Sequence, residues 1–218
     1  EAQARRRDSP THRALAARAW RTIYTTNFDR HIEGALADAG KPCQVLAALG
    51  DFLLPRPEHA CEVVKFHGTL SRKETMVLRE SDFFARMDLN AAVDQRLRAD
   101  LLGHSFLFIG YSFTDTNIRY IWYRMNKLLA EQHASVLPRR SYFVSFGAGP
   151  VQPRLLERWN IDVIELDPAD MNESVAALLN GINSGGSPSP GSTVTAARTW
   201  SGDTPWSASS LTASESGS

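Results

Sequence analysis

Cysteine is scarce in this chain. Cys43 and Cys61 are the only two, with 17 residues between them. They form no C-x-x-C pair, so the ligand set of a structural zinc module is missing and no metal is expected. Sparse cysteine fits a reducing compartment, and a cytoplasmic location is the expectation. An excess of one charge is also absent: Lys+Arg and Asp+Glu stand at 24 each. That balance gives no electrostatic case for nucleic acid or an acidic membrane surface, and neither is expected as a partner. No apolar run approaches the roughly 20 residues of a membrane-crossing helix. The stretch Glu1 to Arg7 is polar and leads into no apolar segment, so a secretory signal is not expected there. Methionine does not stand first, and the expectation is a fragment of a longer protein.

What is present is enough apolar sequence for one domain and a tail: 218 residues, 43% of them hydrophobic. Apolar runs and periodic segments alternate. Strands are expected at Thr22 to Thr25, Pro42 to Leu46, Glu62 to Phe66, Ser105 to Ile109, Ser141 to Phe146 and Ile161 to Leu166. Helices are expected at Leu15 to Trp20, Arg30 to Ala39, Ala91 to Leu102, Asp115 or Thr116 to Glu131, Leu155 to Trp159 and Ser174 to Leu179. A shorter one, capped by Ser81, runs to Met87, and Asp51 to His59 reads as a loop around Pro55 and Pro57. This order predicts an α/β fold: a Rossmann-like parallel sheet with helices on both faces, occupying residues 1–183. Beyond Ser184 the composition turns to Ser, Gly, Thr and Pro. Residues 184–218 are expected to form a disordered tail, because they bury too little surface to offset ordering entropy. Trp200 and Trp206 are its only large aromatics.

Three polar stations follow three of the apolar runs. Thr25-Thr26-Asn27-Phe28-Asp29 follows Ile23-Tyr24, Lys65-Phe66-His67-Gly68 follows Val63-Val64, and Gly110-Tyr111-Ser112 follows Phe106 to Ile109. Open α/β sheets gather ligands beyond the carboxyl ends of their strands, so a nucleotide site is the leading reading. Asn27 and Asp29 have two readings. They form a turn and cap the next helix, or they orient a water or sugar hydroxyl and accept from a ligand amide. Thr25 and Thr26 add hydroxyls at the same mouth. His67-Gly68 reads either as a strand-end turn or as a functional pair: histidine is a residue type suited to general-base work on a hydroxyl, and Gly68 lets a ligand approach the backbone. Gly110 and Ser112 offer backbone amides to a phosphate or ribose, with Tyr111 between them. Asp115 reads as the cap of the long helix, and Tyr120 to Tyr123 as helix packing. His12, His31, His59, His104 and His133 stand outside this constellation.

Taken in order, Thr-Thr-Asn-Phe-Asp, Lys-Phe-His-Gly and Phe-Ile-Gly-Tyr-Ser-Phe-x-Asp resemble the sirtuin-like superfamily, in particular the bacterial defence-type domains. The resemblance spans about Thr22 to Asp115. It implies a Rossmann-type fold that binds NAD, with Asn27 and His67 matching the catalytic pair. It implies that Asp29 faces the nicotinamide amide, and that Gly110 and Ser112 contact the adenosine side. The four-cysteine zinc module usual in sirtuin deacylases is absent, which tilts the expectation from deacylation toward NAD hydrolysis. The glycine-rich turn that opens the family's fold has no counterpart before Thr22, and in the usual strand order the strand that leads into it is central. The sheet is therefore expected to be incomplete at its amino-terminal end. NAD is then a substrate, with other domains of the parent protein or further copies of the chain as partners. The alternatives are an NAD-dependent deacylase or ADP-ribosyltransferase, and a nucleotide-sensing or assembly module without turnover.

Overall fold

The computed structural model describes residues 9–86, 88–111, 116–131, 139–147, 156–182 and 193–196. The sheet strands are β1 (Thr22–Thr25), β2 (Cys43–Leu46), β3 (Cys61–Lys65), β4 (Phe106–Ile109), β5 (Ser141–Ser145), β6 (Ile161–Glu165) and β7 (Thr193–Ala196). The described α-helices are α1 (Pro10–Ala17), α2 (His31–Asp38), α3 (Leu49–Phe52), α4 (Glu80–Ala85), α5 (Ala92–Gly103), α6 (Thr116–Glu131) and α7 (Met171–Gly181). The seven strands pair in the order β2-β3-β1-β7-β4-β5-β6, parallel at every step.

Alternation along the strands builds two cores. Tyr24, Val64, Phe106 and Phe108 face one side, where they meet Val93, Leu97 and Leu101 of α5 and Ile121 and Trp122 of α6. Ile23, Val63, Leu107 and Ile109 face the other, against Ala14 and Leu15 of α1, Ile32 and Leu36 of α2, and Val175 and Leu179 of α7. Strands buried on both faces read as continuous apolar runs, which is why Phe106-Leu107-Phe108-Ile109 has no polar partner face. A buried polar network crosses the first core. The Tyr24 hydroxyl donates to Asp100 (2.8 Å), and Arg96 bridges Asp100 and Glu62. Burial, with Asp100 beside it, pushes the Tyr24 hydroxyl well above its ordinary value, so it stays a donor.

Several boundaries differ from the sequence expectation. The first helix starts at Pro10 rather than Leu15, because Ser9 caps it through the His12 amide (3.4 Å) and proline suits its first position. Leu49–Phe52 is helical where a loop was expected to begin, since Asp51 turns back to accept from the Ala47 and Ala48 amides (2.8 and 2.9 Å). Ser81 lies inside α4, whose cap position is Arg79. The largest departure is β7. Thr193–Ala196 falls in the stretch expected to be disordered, yet it pairs with β1 on one side and β4 on the other. The physical reason is the demand of its neighbours: without a strand between them, β1 and β4 would each leave a row of buried backbone groups unpaired. Ser112, Asp115, Met87, Leu155, His133, Trp200 and Trp206 lie outside the described residues.

The chain reverses direction across the sheet between β1 and β4. Strands β1 to β3 build outward on one side, and β4 to β6 on the other. Such a reversal is a topological switch point, and the crevice beyond the strand ends there is where open α/β sheets take ligands. No helix among the described residues is long and apolar enough to cross a membrane.

Candidate functional site

The first two stations meet because β1 and β3 are neighbours in register, with Thr25 opposite Lys65. Hydrogen bonds carry the pairing past the strand ends. The Phe66 amide donates to the Thr25 carbonyl (2.8 Å) and the Leu70 amide to the Phe28 carbonyl (3.0 Å). The buried Lys65 ammonium donates to the Asp29 carbonyl. Asn27 and Asp29 therefore sit in a turn lashed to the loop that begins with His67 and Gly68. Thr25 Oγ1 accepts from the Asn27 amide (3.1 Å), so this hydroxyl shapes the turn. Thr26 is half-buried and, with Thr25, Phe66 and Phe108, lines a cavity of about 10 Å³ under the mouth, room for no more than one water.

The turn reading of Asp29 is visible in its geometry. Asp29 Oδ1 accepts from the His31 amide (2.9 Å), the turn that a strand-to-helix junction calls for. The residue stays partly exposed beside Asn27. His31, expected outside the constellation, stands with Nδ1 3.7 Å from the same Asp29 oxygen. Its ring meets the His12 ring edge-on at 5.8 Å. His31 is near Asp29 through that local turn, while packing of α1 on α2 brings in the buried His12, which spacing alone does not show.

His67 is 6% exposed. Its ring lies edge-on between Phe66 (5.3 Å) and Phe83 of α4 (5.1 Å), which limits its orientation. Gly68 has φ of +89°, and a Cβ there would lie 2.2 Å from the Thr75 carbonyl oxygen. The glycine thus serves the packing of its own loop. That loop is fastened to α3 by Arg72, whose two terminal nitrogens reach Asp51 Oδ1 (2.9 Å) and Oδ2 (2.6 Å). Burial pushes the Asp51 carboxyl up, but Arg72 and the two backbone amides outweigh it and hold the group at about 2.

The third station lies across β7. Gly110 is exposed at the end of β4 with φ of +62°. Tyr111 is 7% exposed and stacks on Phe108 at 5.9 Å, so it packs in the core instead of facing the mouth. The described residues thus bring Thr25, Thr26, Asn27, Asp29, His67 and Gly68 together, and place Gly110 on the far side of the crevice. Among the described residues no group of three or more His, Cys, Asp and Glu is arranged for a metal ion.

Two pairs escaped sequence reasoning. Arg86 pairs with the fully buried Asp94, donates to the Phe66 carbonyl (2.7 Å), and lies 4.5 Å from the Phe66 ring centre. No local pattern announces it. Lys65 pairs with Glu33, and here a signal exists: a lysine closes a run of buried strand residues.

A parallel sheet with a strand-order reversal, and an Asn-x-Asp turn bonded to the loop of a His-Gly turn, define an open α/β domain of the doubly wound class. Residues 21–164, well over half of the chain, match the SIR2-like domain family, and the chain belongs to it. It is similar to proteins named NAD(+) hydrolase ThsA. Identity is 38% over 120 residues with that of Cytobacillus dafuensis, covering 55% of this chain and 24% of the relative. With that of Enterococcus faecium it is 29% over 178 residues, 73% of this chain and 37% of the relative. Defense-associated sirtuin 2 of Bacillus subtilis shares 23% over 151 residues, covering 68% of this chain and 14% of its own length. The chain thus spans well under half the length of these relatives.

Proposed function

We propose that this chain carries a domain that, in the intact protein, hydrolyses NAD to nicotinamide and ADP-ribose. The observation that carries the reading is the lashing of the Asn27–Asp29 turn to the His67–Gly68 turn at the switch point. The names of the relatives point to the same substrate.

In the proposed reaction the bond from the nicotinamide nitrogen to the ribose anomeric carbon breaks, and its electron pair leaves with nicotinamide. The sugar carbon becomes cationic and a water oxygen attacks it. Asn27 positions that water. His67 takes the water proton, or polarises a ribose hydroxyl, and releases the proton to solvent. Asp29 accepts from the carboxamide of the leaving group with the oxygen its helix cap leaves over. These are orientation and acid–base effects, the acid–base part alone about 10²- to 10⁴-fold. NAD itself supplies the labile bond.

A second reading, nucleotide binding without turnover, has one observation in its favour. The strand at the switch point is Thr193–Ala196, and the next residues in sequence, Ala197-Arg198-Thr199-Trp200, include no glycine. A glycine-rich turn into a helix amino terminus is what receives a pyrophosphate in folds of this kind. The 218-residue chain alone is therefore expected to bind NAD weakly and turn it over slowly.

Nicotinamide release from NAD, followed by chromatography in the absence of an acyl acceptor, tests the reading in the protein at its full natural length. Release is expected there, and Asn27→Ala and His67→Ala should each lower it by roughly 10²-fold or more with folding intact. Release that requires an acyl acceptor would replace hydrolysis by deacylation. Calorimetric binding without release would leave the second reading. Either variant at near wild-type rate would remove its residue from the mechanism.

A further inference from the structure

Lys65 ends β3 with 1% of its surface exposed, and Glu33 in the first turn of α2 has 5%. Lysine normally runs its stem along apolar surface and keeps its charge in water. This one does not. Its ammonium lies 2.9 Å from Glu33 Oε1 and 3.1 Å from Oε2, and it donates to the Asp29 carbonyl. Three acceptors match the three donors of an ammonium group.

A buried ion pair is a poor way to gain stability, because desolvating two charges offsets most of their attraction. Apolar residues of the same volume would hold α2 to β3 at least as well. What they would not do is bind a main-chain carbonyl. The carbonyl that Lys65 holds belongs to Asp29, two residues beyond Asn27, while Lys65 itself stands two residues before His67. Alongside the Phe66–Thr25 and Leu70–Phe28 backbone bonds, one ammonium thus ties the Asn27–Asp29 turn to the strand that carries His67. Glu33 keeps that ammonium aimed.

We propose that Lys65 is a positioning residue: held by Glu33, it clamps the main chain at Asp29 and so sets the Asn27–Asp29 turn against the strand that carries His67. The consequence for catalysis rests on the NAD-hydrolysis reading; the consequence for the turn does not. Misplacing a reacting group by an ångström costs about 100-fold in rate. Loss of the clamp should therefore lower kcat and leave KM near its starting value.

Lys65→Met alone leaves Glu33 charged, buried and unpaired, and is expected to fold poorly. The informative variant is Lys65→Met/Glu33→Leu, apolar at both positions, in the protein at full natural length. It should melt near the parent temperature. Amide exchange across Thr26 to Arg30 should quicken roughly tenfold while β3 amides stay protected. Nicotinamide release should fall by about 100-fold in kcat, and Asn27→Ala added to this background should cost far less than it does in the parent. A folded double variant with parental exchange across Thr26 to Arg30 would overturn the proposal. So would parental kcat. If the double variant does not fold, the pair is a requirement of the fold, and the positioning role is likewise overturned. If the parent releases no nicotinamide, the function reading fails by itself, and the exchange measurement still decides the clamp.

Discussion

Gly68→Ala separates two reasons for a glycine. At φ of +89° an alanine pays the left-handed backbone cost, about 1–2 kcal/mol. Its Cβ would also lie 2.2 Å from the Thr75 carbonyl oxygen, 2.4 Å from the carbonyl carbon and 2.7 Å from Oγ1. Two of those atoms are backbone, so no rotamer change relieves the contact, and the stretch from Thr69 to Thr75 must move. At risk are the bond from the Thr69 amide to Thr75 Oγ1 (3.1 Å) and that from the Thr75 hydroxyl to the Arg72 carbonyl (2.7 Å). At about 1 kcal/mol each, they bring the expected loss to about 3–4 kcal/mol. With a urea slope of about 2 kcal/mol/M, the midpoint should fall by roughly 1.5–2 M. Gly40→Ala is the control for the backbone cost, since Gly40 has φ of +68° and nothing within 4 Å of the added carbon. Gly50, with neither constraint and a place in α3, should tolerate alanine or gain from it. Urea midpoints of the three variants decide the matter. A Gly68→Ala midpoint equal to that of Gly40→Ala would refute the clash, and one equal to the parent would refute both terms.

Truncation after Ile182 removes β7 and should lower the urea midpoint by roughly 1 M or more, because β1 and β4 each lose a parallel partner; an unchanged midpoint would show that the sheet does not depend on Thr193–Ala196. The Asp51 carboxyl is held at about 2 against an ordinary 3.8, so its contribution is present above about pH 4 and is lost as pH falls through about 2. Asp51 is partly open to solvent, so the amount is about 1–2 kcal/mol, and Asp51→Asn should flatten the acid limb of a stability–pH curve measured in urea by that much. A curve of unchanged shape would mean that the Arg72 pairing contributes nothing. In the protein at full natural length, Arg86→Met should lower nicotinamide release by more than its effect on melting accounts for, since Arg86 holds the Phe66 carbonyl next to His67. Equal activity in a stable variant would sink that expectation.

Much of the layout is legible one residue at a time. The strands at Thr22–Thr25 and Phe106–Ile109 end where the apolar runs end, because a strand buried on both faces cannot take a polar residue without a partner. Asn27 and Asp29 stand out just past Ile23-Tyr24, and His67 and Gly68 just past Val63-Val64, as polar or special residues where an apolar run has ended. Periodicity and composition act locally, so they report such things directly. What they do not report is which ends meet. Lys65 reaches Glu33 and Asp29 only because β1, β3 and α2 pack together, and Arg86 reaches Phe66 only through the fold of α4 and α5. Tyr111 follows Gly110 in the motif, yet packing turns it into the core. Thr193–Ala196 marks the limit most sharply. Its Ser/Gly/Thr/Pro-rich surroundings read as disordered because local sequence supplies too little burial to offset ordering entropy. Its strand conformation comes from the unpaired backbone of β1 and β4, a demand that exists only once the rest of the sheet has formed.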